Sequence, residues 1–208
     1  MNVNELNQLL GNIDIYLLDQ ILKGRFSKEM KILDAGCGEG RNTHYFIRKG
    51  FQIFGVDYNP IAIQMARIYA QTINADFDVH RFQTAQVEDM PFHKEAFDAV
   101  ISSAVMHFAK NEEHFIKLWD EMMRLLKPGG IFFLRCCTEM GGIEVESVMT
   151  EEGLHQLPDG STRFLLGEEL LQKLMEKHCL QFLEEPKTVL VHHKRTMGTF
   201  LMTKNHIY

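Results

Sequence analysis

Lys31-Ile-Leu-Asp-Ala-Gly-Cys-Gly-Glu-Gly-Arg-Asn42 is the stretch on which the reading of this chain turns. Ile32 and Leu33 have the apolar character of the end of a short buried strand. Gly36, Gly38 and Gly40, at alternate positions, then allow a tight turn and a close approach of backbone to a ligand. His44, Tyr45, Phe46 and Ile47 open a helix that Lys49-Gly50 stops. Strand, glycine turn and helix make a corner of the kind that binds nucleotides, although a glycine-rich turn alone serves equally as a tight structural turn. Two residues sharpen the choice. The dinucleotide pattern Gly-x-Gly-x-x-Gly, counted from Gly36, needs glycine at position 41, where the chain has Arg41. Asp34, just ahead of the turn, would repel a pyrophosphate and attract a ligand carrying an ammonium and a sulfonium.

Downstream, Phe51-Gln-Ile-Phe-Gly-Val56 reads as a second apolar strand ending in Asp57. Asp57 falls 21 residues after Gly36, where a doubly wound fold places the carboxylate that accepts hydrogen bonds from ribose hydroxyls. Its competing role, a cap on the following helix, is filled by Asn59 ahead of Pro60. In that helix Ile61, Met65, Ile68, Tyr69 and Ile73 read as the core-facing side. Alternation over Phe77–Phe82 predicts a third, half-buried strand, and Phe97–Ser103 a fourth, buried one. A helix from Asn111 carries Glu112 and Glu113 in its first turn and a stripe of Phe115, Leu118, Met122, Leu125 and Leu126. Lys127-Pro-Gly-Gly130 stops it before a fifth strand, Ile131–Leu134.

This βα alternation predicts a parallel sheet with helices on both faces. Upstream, Leu6, Leu9, Leu10, Ile13, Leu17 and Ile21 have helical spacing, divided at Gly11-Asn12. These helices either cover the sheet or form a lid with Tyr16 and Asp19 toward a ligand. Residues 136–166 show neither period, and a long irregular insertion at the ligand end of a strand is expected to serve the substrate side. After a helix over Glu168–His178, two extended segments, 181–192 and 196–203, predict an antiparallel pair joined through Lys194.

A length of 208 residues suits one domain, 1–208, with 1–27 as its helical cover and 136–166 as the insertion. A net charge of −6 argues against a nonspecific nucleic-acid binder. No apolar run approaches the length of a membrane span, and the N-terminus has no signal-peptide pattern, so a cytoplasmic protein without membrane contact is expected. Cys37, Cys136, Cys137 and Cys179 lack C-x-x-C spacing and read as reduced thiols, with no metal site implied.

The chain resembles the class I S-adenosylmethionine-dependent methyltransferases, in the small-molecule, type 11-like branch. The likeness rests on Leu33-Asp-Ala-Gly-Cys-Gly-Glu-Gly40, Gly55-Val-Asp57, Met90-Pro-Phe92, Phe97-Asp98 and Leu126-Lys-Pro-Gly-Gly130, in that order. It implies a Rossmann-like, seven-stranded, mostly parallel sheet with helices on both faces and an antiparallel last pair. It also implies S-adenosylmethionine as cofactor, S-adenosylhomocysteine as product, and in-line transfer of a methyl group to a small molecule. By the same resemblance Asp34, Gly36 and Gly38 would hold the methionine portion, Asp57 the ribose, and Tyr58 would pack against adenine. Gln86 would accept from the adenine amino group through its amide oxygen, where many relatives have aspartate, and Val87 would offer its backbone amide. Ser103 would lie near the methionine tail.

His107, after the fourth strand, is the candidate general base by topology, with packing of the loop as its other reading. The motif of nucleic-acid amino methyltransferases is absent, since its position reads Ser102-Ser-Ala-Val105. A small-molecule acceptor and a monomer or homodimer are expected. Arg135, Arg163 and Arg195 could receive an anionic acceptor or serve as surface charges and ion-pair partners, and Cys136-Cys137 reads as packing. The alternatives are a non-catalytic S-adenosylmethionine-binding sensor or partner subunit, and a nicotinamide oxidoreductase, which Arg41 and Asp34 oppose.

Overall fold

The computed structural model describes residues 2–141 and 147–205. The parallel part of its main sheet comprises β1 (Lys31–Ala35), β2 (Gln52–Asp57), β3 (Phe82–Thr84), β4 (Phe97–Ser103) and β5 (Leu126–Cys137). The strand order is β3-β2-β1-β4-β5. Next to β5 lies β11 (Arg195–Lys204), antiparallel to it, and then β10 (Lys187–Val191), antiparallel to β11. The expected Rossmann-like sheet with a terminal antiparallel pair is therefore present.

The strands read as continuous apolar runs because both faces of the sheet are covered. Neighbouring residues go to opposite cores, as the two-residue period of a strand requires. Leu33, Val100 and Phe132 join one core with Phe115 and Trp119 of helix α5 (Glu112–Leu125) and Leu171 of α6 (Glu168–Lys177). Ile32, Ile101 and Phe133 join the other, with Leu17 of α2 (Ile15–Leu22), Phe46 of α3 (His44–Arg48) and Ile63 of α4 (Pro60–Ile73). Helix α1 (Val3–Leu10) begins in a capping box between Asn2 and Glu5 and buries no residue.

Four local expectations are corrected. In α4 the buried residues are Ala62, Ile63, Ala66 and Ala70, while Ile61 and Ile68 are exposed. The small face is the one that packs, with Ala66 beside the glycine turn: a Cβ on Gly40 would stand at an ordinary contact distance, 3.5 Å, from the Cβ of Ala66. The third strand begins at Phe82 rather than Phe77, because the Asp78 carboxylate accepts from the His80 amide and closes a 3-10 turn over Val79–Arg81.

The extended segment 181–192 is broken in two. β9 (Leu180–Phe182) and β10 pair with successive stretches of β11, and Pro186, which has no amide proton to donate, lies in the gap. The hairpin between β10 and β11 turns through His192 and His193, both at positive φ (52° and 54°). Finally, part of the aperiodic insertion is regular. It holds an antiparallel meander of β6 (Val148–Met149), β7 (His155–Gln156) and β8 (Thr162–Arg163), while residues 142–146 lie outside the described residues.

Candidate functional site

The carboxyl ends of β1, β2 and β4 meet where the strand order reverses around β1, the position at which open α/β sheets leave a crevice. The glycine turn after β1 is fastened to β2 by the Gly36 and Cys37 amides, which donate to the Val56 carbonyl at 2.8 and 2.9 Å. Gly36, Gly38 and Gly40 have φ of 81°, 54° and 85°, a region costly for other residues. At Gly36 space is a second constraint, since a Cβ there would stand 2.5 Å from Cγ2 of Val105.

Asp57 holds the turn in shape. Its Oδ2 accepts from the Gly38 amide at 2.9 Å and its Oδ1 from the Asn59 amide at 2.9 Å. A carboxylate has about four lone-pair positions, so both oxygens keep capacity toward the crevice. Asp34 is in a different state. It is 1% exposed and its Oδ2 has no hydrogen-bond partner among the described residues. Burial raises its pKa to about 7; Arg41 opposes the shift, and the charges of Asp57 and Asp14 add to it.

Beside Asp57 runs a cleft of about 410 Å³, whose lining does not include Asp34, Gly38 or Ser103. Gly36, Asp57, Tyr58, Gln86 and Val87 line it, so the structure brings five of the expected cofactor residues to one cavity. Tyr58 is 67% exposed and stands at its surface. A buried carboxylate oxygen without a donor, a glycine cradle and a second carboxylate on the wall suit an elongated ligand with a cationic end and a ribose. The residues present therefore fit S-adenosylmethionine.

Ser103 is committed elsewhere. Its hydroxyl donates to Asp14 Oδ2 at 2.8 Å, and Arg135 Nη1 donates to the same oxygen at 3.2 Å. The other oxygen of Asp14 caps α2 by accepting from the Tyr16 amide at 2.9 Å. The Asp14 amide donates to Asn42 Oδ1 at 3.0 Å, and Arg41 donates to the Asn12 carbonyl at 3.1 Å. Arg41-Asn42, directly after the glycine turn, thus anchors the N-terminal helices. The place of Asp14 before an apolar helix marks it in sequence as a cap, but nothing local announces partners at positions 103 and 135. Of the residues expected to face a ligand from α2, Asp19 instead pairs with Lys23 and Lys187, and Tyr16 lies under the Arg135 guanidinium, 5.3 Å from its ring centre.

His107 lies in a 3-10 turn after β4 and is 6% exposed. Burial lowers its pKa to about 3, with Arg163, Arg195 and Arg135 adding to the shift. Its Nδ1 accepts from the Cys137 amide at 3.4 Å, which places the ring proton on Nε2. The remaining ring nitrogen is then a donor, whereas a general base needs a lone pair. Cys136 and Cys137 are buried, and the Cys137 sulfur packs 3.4 Å from that of Met197, which agrees with a packing role. A second cavity, of about 260 Å³, is lined by His107, Arg135, Arg163 and Arg195. It shares Ala104 and Phe108 with the larger cleft.

Comparison with known proteins bears on the family and the fold. Residues 33–134 match the model of a methyltransferase domain family. The ubiquinone biosynthesis O-methyltransferase of Mesorhizobium japonicum is 27% identical over 172 residues, 77% of this chain and 66% of that protein. The chain spans between 26% and 66% of the length of the curated relatives it matches. Among solved structures, an S-adenosylmethionine-dependent methyltransferase of Methanosarcina mazei superposes with a TM-score of 0.67 at 18% identity, covering 90% of this chain and 98% of that one. The 1,6-didemethyltoxoflavin-N1-methyltransferase of Burkholderia thailandensis, with its substrate and S-adenosylhomocysteine bound, gives 0.65 at 19% identity, covering 89% and 76%. The segment 33–134, which contains the glycine turn, Asp34 and Asp57, thus matches a methyltransferase domain family, and the chain has the fold of S-adenosylmethionine-dependent methyltransferases.

Proposed function

We propose that this protein transfers the methyl group of S-adenosylmethionine to a small-molecule acceptor. The observation that carries the reading is Asp34: a buried carboxylate with an unpartnered oxygen, two residues ahead of Gly36, which lines a cleft of about 410 Å³. A buried polar group without a partner costs on the order of 1–3 kcal/mol, so a cationic ligand that engages it recovers stability. When bound, the cofactor supplies a sulfonium methyl group open to in-line displacement by an acceptor nucleophile.

The chain's own residues position and enclose. Asp34 attracts the ammonium of the methionine portion, with Gly36 and Gly38 leaving room for it. Asp57 accepts from the ribose hydroxyls, Tyr58 packs against adenine, and Gln86 with the Val87 amide recognises its edge. Ser103 acts through Asp14, fixing α2 over the site. His107 stays neutral, donates through Nε2 and removes no proton. Displacement at a sulfonium needs no acid for its leaving group, so positioning and exclusion of water are the main contributions required of the protein.

Residues 1–208 act as a single unit in this reading, with 1–27 as cover and 136–166 on the acceptor side. The small molecules named for the Mesorhizobium and Burkholderia proteins support an acceptor of that size class. The test is release of S-adenosylhomocysteine from S-adenosylmethionine and a pooled small-metabolite extract, comparing wild type with Asp34→Ala. Release by the wild type alone is the expected result. Binding of the cofactor without release would point to a sensor instead.

A further inference from the structure

Resting on the methyltransferase reading above, we propose that the acceptor is an anion, held through its negative group by Arg135, Arg163 and Arg195 in the cavity of about 260 Å³ beside the cofactor cleft. These arginines come from the end of β5, from β8 in the insertion and from the start of β11, positions 135, 163 and 195 in a chain of net charge −6. Bringing guanidinium groups together costs electrostatic energy, and the structure offsets only part of it. Arg195 Nη1 meets Asp159 Oδ2 at 2.7 Å, and Arg135 shares Asp14 with Ser103. Arg163 has no carboxylate partner among the described residues. Its Nη1 donates to the Thr162 carbonyl, and its guanidinium lies 4.5 Å from the centre of the Phe108 ring. Nε of Arg135 is buried and has no acceptor among the described residues.

The cavity therefore presents unfulfilled donors. His107 adds to this character, because with Nδ1 accepting from the Cys137 amide its other nitrogen is a further donor. No carboxylate is among the residues that line the cavity. Planar guanidinium forks suit carboxylate, phosphate and other oxyanions. Ala104 and Phe108, which line both cavities, form the seam across which the reacting end of the acceptor would reach the methyl group. The arginines thus grip a handle, and the atom to be methylated lies toward the seam. At about 260 Å³ the space suits a metabolite-sized acid.

The experiment divides the metabolite extract on an anion-exchange column at pH 8. Both fractions are assayed for S-adenosylhomocysteine release with wild type, Arg163→Gln and Arg195→Gln. Activity is expected in the retained fraction only. Each variant should raise KM for the acceptor purified from it at least tenfold, with the Kd for S-adenosylhomocysteine unchanged, and the wild-type KM should rise with ionic strength. Calorimetry of that acceptor with the product-loaded protein should show the same loss of affinity. Activity confined to the unretained fraction, or equal KM values in wild type and both variants, would overturn the anion assignment while leaving the methyltransferase standing. Release from neither fraction, despite cofactor binding, would remove the methyltransferase reading and the anion assignment with it.

Discussion

Asp34 decides how the site answers to pH. Its carboxyl has a pKa raised to about 7, so between the ordinary carboxyl range and 7 the folded protein binds a proton that the unfolded chain releases. Stability contributed by this group consequently falls as pH rises through that window. Cofactor binding runs the other way, because a cationic ligand favours the ionised carboxylate. Affinity for S-adenosylmethionine should therefore drop as pH falls below 7, approaching about tenfold per pH unit, with a proton released on binding. Calorimetry in buffers of different ionisation enthalpy counts that proton, and Asp34→Asn should abolish both the release and the pH dependence. Asp57→Ala should weaken cofactor binding by about 1–3 kcal/mol, since hydrogen bonds within the glycine turn are lost together with those to the ligand. Ala104 supplies a contrast. Its φ of 62° is a left-handed conformation at the seam of the two cavities. Relief of that conformation is worth about 1–2 kcal/mol and glycine's extra chain entropy costs about 0.5–1. Ala104→Gly should then raise stability by up to about 1.5 kcal/mol in a denaturant titration.

At the scale of elements, α2 is tied to the ends of β4 and β5 by one carboxylate that also caps the helix. Asp14 caps the helix, receives Ser103 and receives Arg135. Asp14→Ala removes a cap and leaves Arg135 partly buried without its counterion. The combined cost should be about 2–4 kcal/mol, visible as a lower midpoint in urea. Elements whose cause is local were legible in the sequence. The apolar runs of β1, β2 and β4, the Asn59-Pro60 start of α4 and the acidic first turn of α5 lie where the residues put them, while β5 starts earlier, at Leu126, and takes in the Lys127-Pro-Gly-Gly130 stretch expected only to stop the helix. The buried side of α4 was not, because its larger residues suggest one face while the packed face carries Ala62, Ile63, Ala66 and Ala70. The site divides the same way. Asp34, Gly36, Gly38, Asp57 and Tyr58 belong to one strand-and-turn corner and the strand beside it, whereas Asp14 with Ser103, and the arginines of the second cavity, meet only when distant segments pack.

For the whole molecule, ligand binding and folding are coupled. A ligand at 100 times its Kd stabilises the native state by about 2.7 kcal/mol, and a chain of this size gains about 2–4 °C per kcal/mol. Saturating S-adenosylhomocysteine should thus raise Tm by about 5–10 °C, and the shift should shrink at the same ligand concentration in Asp57→Ala. No helix among the described residues is long and apolar enough to cross a membrane. The broken strand at the sheet margin has a consequence of its own. An unbroken outer strand would offer a row of free amides and carbonyls as a template for a foreign strand, the usual start of aggregation. Here one margin is interrupted before Lys187 by a proline, and the other, β3, is three residues long. Both margins are poor templates, and the chain is guarded against strand-by-strand polymerisation at the places where an open sheet is most exposed to it.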